Sequence, residues 1–130
     1  MTPQQIKFRG FRDETNEAVY GNLIYNGNDY LIREIEHDKG FHKSYFVEPD
    51  SLGMFTGRTD KNGKEIYGAI GERGGDKIKL TTEFIVFVKY RYGAFVIESE
   101  INGEYFFSEE LPLSLCAEII GNQWEVDNGK

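Results

Sequence analysis

The sequence predicts a mainly β fold in which antiparallel strands form a small barrel or sandwich. Three Asn-Gly pairs, Asn26-Gly27, Asn62-Gly63 and Asn102-Gly103, each separate two strand-like runs. Asn and Gly tolerate the positive φ angles that tight hairpin turns require, so each pair predicts a β-hairpin. Helical periodicity is weak in comparison, and three hairpins in one short chain favour an antiparallel meander.

The composition on both sides of these turns gives the strand predictions. β-branched and aromatic residues are enriched there, as is typical of strands. The predicted strands cover residues 19–25 and 29–35, then 52–56 and 64–67, then 94–101 and 104–107. Ahead of them, the alternation Ile6-Lys7-Phe8-Arg9 predicts a half-buried first strand with its apolar side chains on the core side.

Residues 84–92 predict a central strand. One face carries Phe84, Val86, Val88, Tyr90 and Tyr92, and the other carries Ile85, Phe87, Lys89 and Arg91. A strand that is apolar on both faces at its start and on one face at its end should begin between two layers and finish at a rim. Gly93 then permits a turn into the next strand.

Helix is predicted for at most one or two short turns. Residues 34–39 are the early candidate, ended by Gly40, and Ser108 caps a second that Pro112 limits. The loosest segments are 36–44, 68–75 and the tail after Trp124. The glycine-rich segment 68–75 lacks Gly-Lys-Ser/Thr and joins strand to strand, which predicts a mobile surface loop in place of a phosphate-binding loop.

A length of 130 residues predicts one domain. Its predicted parts are an N-terminal β-meander at 1–57, a barrel part at 58–125 and a disordered tail at 126–130. Residues 1–91 carry 14 acidic and 14 basic side chains, whereas residues 92–130 carry eight acidic side chains and one basic side chain. The excess of negative charge repels phosphate backbones, and it predicts either a solvated face or a surface for a basic partner.

The candidate reactive side chains do not form a recognisable site in the sequence. His37 and His42 could hold zinc only with a third ligand, so a solvated loop is the interpretation preferred. Cys116 is interpreted as a small buried residue, and Glu98 and Glu100 share a strand face without a visible cleft. We therefore predict no catalytic, metal or cofactor site, no small-molecule ligand and no enzymatic activity.

The compartment is predicted from three observations. A single cysteine fits a reducing environment, and the first five residues carry neither a basic nor an apolar signal segment. The longest apolar run, residues 84–88, is far too short to cross a bilayer. These observations predict a cytoplasmic protein without membrane contact.

Three blocks of the sequence stand out, at residues 6–9, at 51–57 continuing through 60–67, and at 119–122. Together they resemble the YopX family of phage and prophage proteins. The resemblance implies a mainly β fold with an SH3-like barrel, a phage or prophage origin and no reaction. In the family the Ile-Tyr pair leads directly into Glu-Gly-Asp, whereas here residues 68–74 follow Ile66-Tyr67, and no Glu precedes Gly75-Asp76.

The signature residues are of types that shape turns and strands, so we interpret them as structural. They are Gly53, Thr56, Gly57, Asp60, Asn62, Gly63, Ile66, Tyr67, Gly75, Asp76, Ile120, Gly121 and Asn122.

The predicted function is a non-catalytic β-barrel module that acts through protein–protein contacts or self-assembly at exposed strand edges. One alternative is weak nucleic-acid binding, because SH3-like barrels serve that use by fold analogy. Its patch would contain Lys77, Lys79, Lys89, Tyr90, Arg91 and Tyr92. The second alternative is an enzyme whose site the sequence does not disclose.

Overall fold

The computed structural model describes residues 6–35, 42–80, 84–91, 93–99, 103–106 and 117–127. Their strands form one sheet curled into a half-barrel, so the predicted mainly β fold is confirmed. The SH3-like detail stays a prediction. The described residues contain no helix with the length and apolar character needed to span a bilayer.

The strands follow the chain as β1 (Phe8–Phe11), β2 (Ala18–Tyr25), β3 (Tyr30–Ile35), β4 (His42–Phe46), β5 (Gly53–Thr59), β6 (Glu65–Ala69), β7 (Asp76–Lys79), β8 (Ile85–Arg91), β9 (Ala94–Ser99), β10 (Gly103–Phe106) and β11 (Glu118–Asn122). A 3-10 turn at Pro49–Ser51 and the helix α1 (Gln123–Asp127) complete the described elements. Across the sheet the order is β10-β9-β8-β6-β5-β1-β2-β3-β4, and β7 pairs with both β8 and β11.

The hairpin predictions are confirmed at the level of strand pairing. β2 pairs with β3, β5 with β6, and β9 with β10, all antiparallel. Asn102 itself lies outside the described residues. β5 pairs with both β1 and β6. Its residues 53–59 run across residue 57, where the sequence predicted the division between meander and barrel. That division stays a prediction.

The helix positions differ from those predicted. Glu34 and Ile35 belong to β3, so the early helix prediction is wrong for these two residues, and residues 36–40 and 108–112 lie outside the described part. α1 instead includes the first two residues of the predicted tail, and residues 128–130 are not described. Asn122 starts α1, because its Oδ1 accepts the Glu125 amide at 2.8 Å, as an N-cap side chain does.

The core has two clusters on the sheet. Val19, Ile32, Val47 and Leu52 form the N-terminal cluster. The other contains Ile66, Ile78, Leu80, Val86, Val88, Ile97 and Ala117. The C-terminal helix is joined to the first strands by Trp124, whose Nε1 donates to Asn16 Oδ1 at 2.8 Å and whose ring stacks on Phe11 at 6.3 Å between centroids.

β8 is the central strand that the sequence predicted, since it pairs with β6, β7 and β9. Val86 and Val88 are fully buried on one face. Ile85 on the other face is 40% exposed, so the prediction that the strand begins between two layers is wrong. One curled sheet provides a single interior, and the outer face of β8 has no second layer above it in the described residues.

β1 is buried on both faces, whereas the sequence predicted a half-buried strand. Arg9 is only 5% exposed, whereas Ile6 is 48% exposed. Phe8 packs against the N-terminal cluster, so its predicted core side is confirmed. The prediction of a half-buried strand is wrong, because Asp76 and Trp124 cover the opposite face at Arg9 and Phe11. The Arg9 side chain therefore points to a buried carboxylate in place of solvent.

The prediction of a surface loop at residues 68–75 is wrong at both ends of the segment, whereas Ile70 and Glu72 between them are exposed. Gly68 and Ala69 belong to β6, and Gly74 and Gly75 are buried. The Gly71 amide donates to Leu52 O at 2.9 Å and the Arg73 amide donates to Asp50 O at 2.9 Å. Glycine is needed here because this backbone lies directly against the 3-10 turn.

Candidate functional site

A cleft of about 650 Å³ opens where β6 and β7 separate. One side of β8 pairs with β9 at both Phe87 and Lys89. The other side pairs with β7 at Phe87 and with β6 at Lys89. The sheet forks at this point. Residues of β6 and β11 form the two walls of the cleft, and residues of β1, β2 and β7 also line it.

Asp76 bridges the fork with its side chain. The Tyr67 amide of β6 donates to Asp76 Oδ2 at 2.7 Å. β6 and β7 have diverged at this point, so backbone hydrogen bonds between them cannot form. The Asp76 carboxylate accepts the Tyr67 amide instead of a backbone carbonyl. The pair Tyr67 and Asp76, both signature residues, thereby fixes the width of the cleft at its closed end.

Arg9 completes this cluster from β1. Its Nη1 donates to Asp76 Oδ1 at 2.7 Å and its Nη2 donates to Gly74 O at 2.9 Å. The guanidinium also lies over the Tyr67 ring, 4.8 Å from the centroid. Its Nε has no acceptor in the described part of the chain. Asp76 is only 1% exposed, so both charges of the pair are desolvated.

The ionisable groups along this wall are engaged with one another. Burial raises the pKa of Asp76 above its ordinary value, and the Arg9 guanidinium and the Tyr67 amide oppose that shift. Burial, followed by the nearby Glu65 carboxylate, raises the pKa of Tyr67. The Tyr67 hydroxyl therefore remains protonated and donates to Glu65 Oε1 at 3.1 Å, while Glu65 also pairs with Lys7.

A second buried carboxylate, Asp60, holds the other end of the cleft. Asp60 Oδ1 accepts the Asn62 and Lys64 amides, both at 2.9 Å, and Oδ2 accepts the Ile119 amide at 3.0 Å. Burial acts to raise the pKa of Asp60, but these three amides outweigh it and hold the pKa below the ordinary value. Asp60 thus ties the β5–β6 turn to β11.

We expect Asp60→Asn to lower the free energy of unfolding by about 1–3 kcal/mol at neutral pH, because an amide oxygen replaces only part of this acceptor set. The folded-state pKa is lowered, so the stabilisation is present above the ordinary value of about 3.9 and is lost as the pH falls through the folded value. Urea titrations at several pH values should show the difference from wild type shrinking toward acid.

The matched control for this variant is Asp50→Asn. Asp50 is exposed and pairs with Arg73 at the surface, so its loss should change the stability by less than about 1 kcal/mol. A gap between Asp60→Asn and wild type that grows toward acid would contradict the role given to Asp60.

Several signature residues have backbone uses that the structure shows directly. Gly57 and Gly63 have φ of 83° and 80°. A Cβ on Gly53 would lie 2.4 Å from Gly74 O, and one on Gly75 would lie 1.9 Å from Val88 O. The Thr56 hydroxyl donates to Ile66 O at 2.9 Å. The remaining members that line the cleft are Tyr67, Asp76, Ile120, Gly121 and Asn122.

The residues of the predicted nucleic-acid patch do not form one basic, aromatic surface. Glu98 accepts from Lys89 Nζ at 2.8 Å and from Arg91 Nη1 at 3.3 Å, so one carboxylate is shared by two cations. Tyr90 points to the opposite face from both, where it packs edge-on against Phe95. Lys77 and Lys79 of β7 lie opposite Phe87 and Ile85, so the structure brings them to the same face of the sheet as Lys89 and Arg91. Tyr92 is outside the described residues.

The sequence did not indicate Arg9, Tyr20, Glu65 or Glu125 as members of one site, although all four line the cleft. A lone Arg in a strand could have signalled a buried carboxylate partner, provided that the strand was known to be interior. His37 and Cys116 lie outside the described residues, as does the side chain of His42. Among the residues that are described, no group of three or more His, Cys, Asp or Glu could hold a metal ion.

Comparison with known proteins agrees with the resemblance seen in the sequence. A family model described as YopX protein matches residues 7–127, which is nearly the whole chain. A search of curated proteins gives no match.

Proposed function

We propose that this chain, which belongs to the YopX protein family, is a non-catalytic module that acts through contacts with other proteins. The family resemblance implies no reaction. Support comes instead from the edge of the sheet, from the state of the ionisable groups in the cleft and from the net charge.

The observation that carries the proposal is an apolar row on the outer face of the N-terminal strands. Ile24 is opposite Leu31, and Leu31 is opposite Phe46, so the three side chains cross β2, β3 and β4 in one line. Phe46, at the end of the row, is 50% exposed. β4 is the last strand of the described sheet order. Its first residues are polar, and the exposed Phe46 at its end gives this edge an apolar contact beside which another chain can pair.

The cleft also favours binding over proton transfer. A general acid or base must be free to exchange its proton with a substrate. Asp76 is instead bonded to Arg9 and to the Tyr67 amide, and Glu65 is bonded to Lys7 and to the Tyr67 hydroxyl. These groups hold the cleft in shape by satisfying one another.

The charge of the chain supports a basic partner over a second copy. The formal net charge is −7, which repels another copy of the same chain and attracts a positively charged surface. Self-assembly is therefore the alternative that light scattering tests. Light scattering at increasing concentration should give a mass near the 15.0 kDa of the monomer.

We expect Phe46→Ser to abolish intermolecular cross-links formed by Lys43, an exposed residue of the same edge strand, when the protein is treated with a lysine-reactive reagent in cell lysate. The matched control is Tyr25→Ser, because Tyr25 is an aromatic residue with a similar exposed fraction, 58% against 50% for Phe46, but lies on the opposite face of β2. Mass spectrometry identifies the cross-linked sites, and circular dichroism confirms that both variants fold. Equal cross-linking by wild type and Phe46→Ser would refute the proposal.

The nucleic-acid alternative stays a prediction that the geometry does not favour. Its two β8 cations share Glu98, and its described tyrosine lies on the other face of the strand. A stacking platform requires aromatic and basic groups on one surface.

A further inference from the structure

We infer that the pocket between the β2–β3 hairpin and residues 70–72 binds an apolar side chain of a partner protein, with a lysine or arginine beside it that pairs with Glu72. The inference rests on the proposed function, to which it adds a second contact site with a defined residue preference. It is carried by the incomplete cover of the N-terminal cluster, by the fixed walls of the pocket and by the charge at its rim.

The N-terminal cluster is covered less completely than the larger cluster of the core. Four of the described apolar side chains packed against it remain only partly buried: Phe8, Leu23, Tyr30 and Tyr45. Around the larger cluster, two described side chains do so, Phe84 and Ile119. Leu23 and Tyr30 line a pocket of about 430 Å³ that reaches the buried Leu52. The pocket therefore exposes apolar surface that belongs to the core.

Backbone hydrogen bonds fix the wall of the pocket opposite the hairpin. The Ile70 and Gly71 amides both donate to Leu52 O, at 3.0 and 2.9 Å. The Arg73 amide donates to Asp50 O at 2.9 Å. A Cβ on Gly71 would lie 2.2 Å from a backbone oxygen of the 3-10 turn, so the loop packs closely against that turn. Because the wall is already ordered, an inserted side chain does not have to order it on binding.

The rim of the pocket favours a cation next to the apolar side chain. Asp50 and Glu72 line the pocket, and none of the described lysines or arginines does. Asp50 pairs with Arg73 at 3.2 Å, whereas Glu72 is exposed and has no ion pair in the described part of the chain. A lysine or arginine of the partner would supply that pair, and the net charge of −7 attracts a basic partner to the same surface.

The loop presents its apolar and its charged residue close together. Ile70 is 37% exposed, and it lines the pocket together with Glu72, two residues further along the chain. Adjacent side chains of one partner segment can therefore contact both. This arrangement favours a segment of a protein over a neutral apolar molecule, which would fill the cavity and leave Glu72 unpaired.

The experiment uses a capped dipeptide of leucine and lysine, titrated to millimolar concentration against the full chain and followed by methyl NMR. We expect saturable shifts at the methyl groups of Leu23 and Ile70. Glu72→Gln should weaken binding by about twofold to fivefold, the size of one exposed charge pair. Ile70→Ser should weaken it by about threefold to tenfold, because part of the apolar contact is lost.

Each variant has a matched control away from the pocket. Ile85→Ser removes an isoleucine of similar exposed fraction, 40% against 37% for Ile70, from β8. Glu17→Gln removes an exposed carboxylate that does not line the pocket. Both controls should bind the dipeptide as wild type does. Circular dichroism confirms that all four variants fold.

Two further dipeptides separate the apolar contact from the charge. A capped dipeptide of leucine and glutamate should bind less tightly than the lysine form, and one of serine and lysine should leave the methyl shifts unchanged. Equal affinity for the lysine and glutamate forms, or no saturable shift at Leu23 and Ile70, would overturn the inference.

The two protein-contact sites fail separately. If the dipeptide does not bind but cross-links at Lys43 still depend on Phe46, the pocket inference is wrong and the proposed function stands. If the dipeptide binds beside Ile70 and the cross-links do not depend on Phe46, the β4 edge is wrong and the pocket is the contact site.

Discussion

Arg9→Met is expected to lower the free energy of unfolding by about 3–5 kcal/mol, because it leaves the Asp76 carboxylate buried without its counter-ion. Methionine keeps most of the arginine side-chain volume, so the loss measures charge and hydrogen bonding more than packing. The variant also removes the donor to Gly74 O and the cation above the Tyr67 ring. Urea denaturation followed by circular dichroism gives the value.

A double variant tests whether the unpaired charge is the cause. Adding Asp76→Asn to Arg9→Met removes the buried charge while keeping a side-chain oxygen for the Tyr67 amide, and we expect it to recover part of the lost stability. Without Arg9, the pKa of Asp76 in the folded state should lie further above its unfolded value. The single variant should then be least stable at high pH and approach wild type as the pH falls and Asp76 becomes protonated. A cost below about 1 kcal/mol would show that the pair is not buried.

Gly74→Ala is expected to cost more than about 3 kcal/mol, because the new methyl group has no space. Its Cβ would lie 1.8 Å from Leu52 O and 2.9 Å from Ser51 C, and both are backbone atoms that cannot rotate away. Either a large loss of stability in urea or failure to fold agrees with this expectation.

Gly63→Ala is the matched control for Gly74→Ala. Gly63 has a φ of 80° but nothing within 4 Å of a Cβ, so only the backbone conformation opposes alanine there, at about 1 kcal/mol. If Gly74→Ala cost no more than Gly63→Ala, the loop would not be packed against the 3-10 turn.

Local chemistry made part of the fold predictable. Asn-Gly pairs have intrinsic turn geometry, so the strands around residues 26–27 and 62–63 pair as expected. The turn role of Asp60 also followed from residue type, although its bond to Ile119 of β11 did not. The start of α1 was not predicted, although Asn122 followed three residues later by Glu125 is an N-cap pattern.

Non-local contacts made the rest unpredictable. Alternation shows which side chains share a face of a strand, but the elements that pack on the sheet decide whether one face or both are buried. Arg9 was therefore assigned to solvent although its partner lies on β7. The glycines of residues 70–75 were assigned to a loose loop for the same reason, because the backbone they approach belongs to residues 49–52. The cleft depends on both the Arg9–Asp76 pair and the packing of residues 70–75 against residues 49–52.

The bond between Trp124 and Asn16 spans 108 residues of sequence. During translation, the first strands leave the ribosome well before the tryptophan that packs on Phe11 has been synthesised. Asp76, the partner of Arg9, also follows it by 67 residues. Until those partners are synthesised, Arg9 and the ring of Phe11 remain exposed on the nascent N-terminal strands. We therefore expect the growing chain to fold slowly and to recruit chaperones.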